Sequence, residues 1–263
     1  VLPVFFVTLK GIFRDRVFHA ILMTSVLFLF IPSISTLSMR QVTELSITLS
    51  LSLISFILLL LAVFLGGTSL WKDMERRYTF SVVGLPLSRQ GYVLGKFAGI
   101  AGFLLLTALM LGAVACAVVW YASGIYPPSR PVLWSTIYCA IILDALKYVL
   151  LMAVSFLLSS VSTSFFLPVF GTISAFLVGN ATQQVYEFVH SPAGMTISPF
   201  VRKLAAALYY LLPNFAAFDL KVNAIYSIDL PIFGLLLTCA YWGIYTVILL
   251  LLAATIFSRR ELQ

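Results

Sequence analysis

Apolar residues in this chain gather in runs far longer than one face of a soluble helix needs. Six stand out, at about residues 18–37, 47–68, 97–121, 134–158, 165–179 and 230–257, rich in Leu, Ile, Val and Phe. Crossing ~30 Å of hydrocarbon takes about 20 such residues in an α-helix. The pattern therefore predicts an all-α, polytopic membrane protein with six transmembrane helices. The connections differ in character. SMRQVTE, with Arg40 and Glu44, turns the first span into the second, and the turn-rich ASGIYPPSRP ends the third. SSVSTS is so short and uncharged that spans four and five must form a tight antiparallel hairpin.

Two stretches break the pattern. Residues 1–17 mix Phe5, Phe6, Leu9, Ile12 and Phe13 with Lys10, Arg14, Asp15 and Arg16, as a helix lying in a membrane interface does. This predicts an N-terminal elbow helix. Residues 180–229 begin polar and then place Leu204, Leu208, Leu211 and Leu212 on one helical face before Pro213 and Asn214. That is too little apolar length to cross twice, so re-entrant or interfacial half-helices are predicted between spans five and six.

Composition removes the soluble alternative. With 62% hydrophobic and 10% charged residues and a mean hydropathy of +1.09, polar groups are too few to cover a globule. The spans are too many and too long for a cleavable signal peptide, and a first residue of Val places the true start upstream or marks processing. Charge then sets orientation. Ten Lys and Arg fall at the N-terminal end, in the Trp71–Lys96 loop and at the C-terminal end, against five in the other connections. A basic excess marks the cytoplasmic side, so both termini are expected in the cytoplasm. The net charge of +7 sits at span ends and not on a basic and aromatic face, which argues against nucleic acid.

Candidate chemistry is sparse. Cys116, Cys139 and Cys239 lie in apolar runs without CxxC spacing, and His19 and His190 lie outside the spans, so no metal site is expected. GYVLGKF has three residues between its glycines, where a phosphate-binding loop needs four, and Phe97 where it needs a hydroxyl. The chain therefore has no nucleotide site of its own. Asp144 and Lys147 are the strong polar feature inside a span. Each charge near a bilayer centre costs about 2.5–3.5 kcal/mol. Three residues apart on one helix face, the two either neutralise each other or line a polar path. Gly66, Gly67, Gly95 and Gly99 are expected to let helices approach closely.

The polar run from Trp71 to Lys96 carries Glu75, Thr79, Pro86, Ser88-Arg89 and Gly95-Lys96 in that order. This resembles the signature of ABC-2 type permeases, the membrane subunits of ATP-binding-cassette exporters, in a form like the type V exporters. In that family an acidic residue and a Thr precede an apolar run, a Pro, an Arg and a Gly-Lys pair. The similarity extends to TLKGIFRDRVF, LLSSVSTSFFLP, YYLLPNFAAFDLK and IFSRREL, and so covers nearly the whole chain. Asp144 and Lys147 have no assigned role in the family pattern.

The resemblance implies a single ABC-2 type domain over 1–263, with the elbow at 1–17, a cytoplasmic coupling loop at 71–96 and an extracytoplasmic region at 180–229. It implies a bacterial inner-membrane, non-catalytic permease subunit that works in export, as a homodimer bound to separate ATPase subunits. ATP and Mg belong to that partner, and this chain holds no cofactor. Asp73, Glu75, Arg76, Arg77 and Tyr78 are the implied ATPase contacts. Leu204, Leu208, Pro213 and Asn214 form the outer gate, with membrane lipids and a periplasmic accessory protein as further partners. Two other classes fit the same spans. One is an ATPase-linked assembly factor, such as those tied to maturation of copper enzymes like nitrous oxide reductase. The other is a secondary transporter, although six unequal segments show no internal repeat.

Overall fold

A computed structural model describes residues 2–13, 16–38, 41–75, 88–128, 130–191 and 198–259. All regular structure among the described residues is helical. Four helices are long and apolar enough to cross a membrane. They are α4 (Val42–Glu75), α5 (Arg89–Ile125), α6 (Trp134–Val161) and α10 (Ile232–Arg259). The remaining helices are α1 (Leu2–Phe13), α2 (Arg16–Ser25), α3 (Ile31–Ser35), α7 (Phe166–His190), α8 (Pro199–Leu211) and α9 (Lys221–Tyr226). The shortest of the four long helices have 28 residues and reach about 40 Å at 1.5 Å per residue.

Proline sets several helix limits. The four long helices contain none, while Pro127 and Pro128 follow α5, Pro131 precedes α6, Pro213 follows α8 and Pro231 precedes α10. A proline cannot donate into the helical ladder and clashes with the preceding turn. Side-chain caps complete some starts: Ser88 Oγ accepts from Gly91 N–H at 3.1 Å and Ser198 Oγ from Val201 N–H at 3.4 Å.

Helix α6 is the axis of the bundle. It packs on α4, α5, α7 and α10, and 78% of its most apolar window is buried against 6% for α10. Leu150, Leu151, Met152, Ala153 and Phe156 on α6 are fully enclosed. Small residues admit the neighbours. A Cβ at Gly66 would lie 3.0 Å from Met152 Cγ, and one at Gly99 would lie 2.8 Å from Thr8 Cβ, where α1 crosses α5. The expected close approach at these glycines is thus present, and α1 is a helix packed on α5.

Two expected elements take a different course. The run at 18–37 is not one continuous α-helix: α2 passes into a 3₁₀ stretch at Val26–Phe30 before α3 resumes. Pro32, in the first turn of α3, explains the break, because it removes one ladder donor. The fifth run does not stop at Gly179, since α7 continues to His190. No proline interrupts it, and Asn180 Nδ2 and Thr182 Oγ1 donate back to Phe176 O and Gly179 O at 2.8 and 3.0 Å. The SSVSTS link is the tight hairpin expected. Ser164 N–H donates to Ser162 Oγ at 3.1 Å and Phe166 N–H to Ser164 Oγ at 3.2 Å, turning the chain into α7.

Two ends of the bundle can be named from the chain. At the near end α4 closes and α5 opens; at the far end α5 closes and α6 opens. From the far end, α8 runs back beside α7, with Tyr209 stacked on Tyr186 at 4.4 Å. The chain then turns at a tip formed by residues 213–221. There Phe215 N–H donates to Gly179 O at 3.2 Å, near the middle of α7. Helix α9 climbs back, and Arg130 Nη1 and Ser227 Oγ donate to Tyr226 O and Pro131 O at 3.2 and 2.7 Å. Between the last two runs the chain forms two short helices, α8 and α9, with their tip halfway down the bundle. The leucine face is not the packed side of α8: Leu204 and Leu211 are exposed and Ala205 is buried.

The tip depends on Gly179 having no side chain, because a Cβ there would lie 2.5 Å from Phe215 Cδ2 and 2.7 Å from Pro213 O. Gly179→Val is expected to lower stability by about 1–3 kcal/mol, as overpacking does. Gly243→Ala, where nothing lies within 4 Å, is expected to leave it unchanged. Thermal unfolding in detergent compares the two.

Candidate functional site

Polar groups buried in an apolar bundle locate the candidate sites, because each needs a partner in place of water. Three groups among the described residues join helices through side chains that sequence reasoning singled out. The first closes the near end, where Asp73 is near the end of α4 and Tyr92 and Lys96 lie one turn apart on α5. Lys96 forms an ion pair with Asp73, and Tyr92 donates its hydroxyl proton to the same carboxylate oxygen. Lys96 Nζ also donates to Ser69 O at 2.7 Å. The side chains of Lys96 and Asp73 are 10% and 20% exposed, so water screens the pair little. Helix α10 joins this clamp: Phe257 stacks on Tyr92 at 6.5 Å and Arg89 Nη1 donates to Ser258 O at 3.4 Å.

The second group lies midway along α6. Lys147 Nζ is 2.5 Å from Asp144 Oδ1, and Ser55 Oγ on α4 donates to Asp144 Oδ2 at 2.6 Å. Lys147 Nζ also sits 4.7 Å from the centre of the Tyr148 ring, whose face attracts a cation. Asp144 and Lys147 are 7% and 3% exposed, so each is available chiefly to the other. The arrangement neutralises two charges on α6, neither of which the helix could carry alone inside the bundle.

The third group is the tip. Asn214 N–H donates to Tyr241 Oη on α10 at 2.9 Å, and its Nδ2 donates to Gln183 Oε1 on α7 at 2.9 Å. Its Oδ1 accepts from Ala216 N–H at 3.0 Å. Asn214 thus ties two helices to the turn it starts. Phe215 and Phe218 are fully buried, and Phe215 meets Phe176 with ring centres 6.1 Å apart. Pro213 and Asn214 sit in the tip, whereas Leu204 and Leu208 lie up α8, away from it.

Of the implied ATPase contacts, Asp73 is engaged inside the clamp. Glu75 closes α4, and Arg76, Arg77, Tyr78, Thr79 and Pro86 fall outside the described residues. No three His, Cys, Asp or Glu side chains gather as a metal site among the described residues. Reading the sequence alone missed Tyr92, Lys96 and Ser55 as partners of the two acids. The spacing of Tyr92 and Lys96, one helical turn apart, was an available signal. Ser55 is one of several serines on α4 and carries no signal of its own. A scan against protein-family models finds no match to the chain, and a search of curated proteins finds none either.

The pair on α6 makes a sharp test, because breaking a buried pair costs more than replacing it whole. Lys147→Met leaves Asp144 buried without its counter-charge and is expected to destabilise by about 3–5 kcal/mol. The double change Asp144→Asn with Lys147→Met is expected to recover most of that loss. Thermal unfolding of the three proteins in nanodiscs measures it, and equal losses in single and double variants would refute the reading.

Proposed function

We propose that the chain is the non-catalytic permease subunit of an ATP-binding-cassette exporter of the ABC-2 type, resident in a bacterial inner membrane with both ends in the cytoplasm. In this reading the near end is cytoplasmic and α1 is the elbow. The chain crosses six times. The first crossing is the broken segment Arg16–Ser35, whose contour of about 30 Å suffices, and the fifth is α7. Two copies and two ATPase subunits make the working unit, with ATP and Mg on the ATPase. A soluble motor needs a handle on the membrane helices, and residues 76–87 are that handle.

The observation that carries this reading is the clamp at the handle's base. Asp73 enters it from α4 and Lys96 and Tyr92 from α5, and α10 packs against it. A displacement of the loop therefore reaches three long helices together. Halfway down the same bundle lies the tip of α8 and α9, placed to open or close a path between copies. The Asp144–Lys147 pair lies between the two ends, on the helix that touches α4, α5 and α10.

The test is co-purification with the candidate ATPase in nanodiscs, comparing wild type with Glu75→Ala plus Arg76→Ala and with Lys96→Met. The loop variant is expected to lose the ATPase. Lys96→Met is expected to keep it but to hydrolyse ATP without response to added substrate. If the loop variant assembles and responds as wild type does, the loop is not the handle and the exporter reading fails.

A further inference from the structure

The tip and the buried ion pair share a cavity. It lies between α4, α6 and the tip, walled by Leu51, Ile54, Ile141 and Phe218, and reached by Asp144 from one side and by Asp219 and Lys221 from the other. Its open volume is about 10 Å³ for the centre of a water, which is room for about one molecule. A buried water needs two to four polar partners; three charged residues line the cavity, of which Asp144 is buried, Lys221 half-buried and Asp219 exposed at its outer rim.

We propose that this cavity binds one water, which joins the Asp144 carboxylate to the Asp219–Lys221 turn, so that the pair on α6 holds the tip in place. Asp144 has acceptor capacity to spare. A carboxylate offers about four lone-pair sites; Ser55 fills one on Oδ2. Oδ1 has the ion contact to Lys147 but no hydrogen bond among the described residues. On the facing wall Asp219 Oδ1 accepts from Lys221 N–H at 3.1 Å, which fixes the turn. The water donates to Asp144 and to Asp219 and accepts from the Lys221 ammonium. Asp144 and Lys147 cancel inside the bundle and Asp219 and Lys221 cancel at the cavity's outer rim, so the cluster carries no net charge. Seating of the tip is thereby tied to the charges on α6 as well as to the packing of Phe215 and Phe218.

The inference rests on the bundle being embedded in a membrane and on no statement about export. Hydrogen–deuterium exchange of the chain in lipid nanodiscs tests it, without ATPase or substrate. Asp144→Asn with Lys147→Met removes the charges on α6 and keeps side-chain volume, while Lys221→Met removes the ammonium on the facing wall and leaves the Asp219 bond to the residue 221 N–H in place. Each is expected to speed exchange of the amides of residues 214–226 about tenfold, the effect of losing a charge-assisted hydrogen bond. Exchange along α6 should stay as in wild type. Should the first variant not fold, the second decides alone. Wild-type protection of the tip in the Lys221→Met variant would overturn the proposal and leave the tip held by its two phenylalanines. Loss of ATPase coupling with unchanged tip protection would bear on the exporter reading and not on this one.

Discussion

Charge in an apolar interior must be cancelled locally, and the bundle is organised around the place where this is hardest. Asp144 and Lys147 stand halfway along α6, the helix with the most buried surface. A group there is cut off from bulk water, so most of its partners must come from the protein. Ser55 on α4 supplies a hydroxyl and Tyr148 the face of a ring. These demands fix the rotation of α6 and its register against α4. The helices that pack on α6 take their places from that alignment.

The same requirement acts more gently at the near end. There the acid comes from one helix and its partners from the next, across a connection of polar residues. An ion pair within one helix neutralises that helix, whereas one between helices also locks them together. The described residues include a pair of each kind. The first makes α6 tolerable inside the bundle, and the second sets the distance between α4 and α5 where they leave it.

Much of this was legible in the sequence. The long apolar runs predicted α4, α5, α6 and α10, and the hydroxyl-rich link predicted the α6–α7 hairpin, because apolar length and turn chemistry are local properties. The pairing of Asp144 with Lys147 was legible for the same reason, since three residues of separation puts two side chains on one helix face. What could not be read was nonlocal. Nothing near Asp73 says that it meets Lys96, and nothing near Gly179 says that Phe215 will rest on it. The break at Val26–Phe30 was hidden because its residues are as apolar as those of a continuous span.

The sparse burial of α10 bears on the order in which the protein is put together. Helices made earlier, α4 to α7, contain the axis and its charged pair and can assemble on one another as they leave the ribosome. Helix α10 emerges after them and adds little enclosed surface of its own. Its late arrival nevertheless brings Phe257 onto Tyr92, the carbonyl of Ser258 to Arg89 and the hydroxyl of Tyr241 to Asn214. A nascent chain that has not yet received this helix has its axis but lacks these braces at the near end and at the tip. Docking of α10 thus ties α5 at the near end and the tip at mid-depth to one and the same helix.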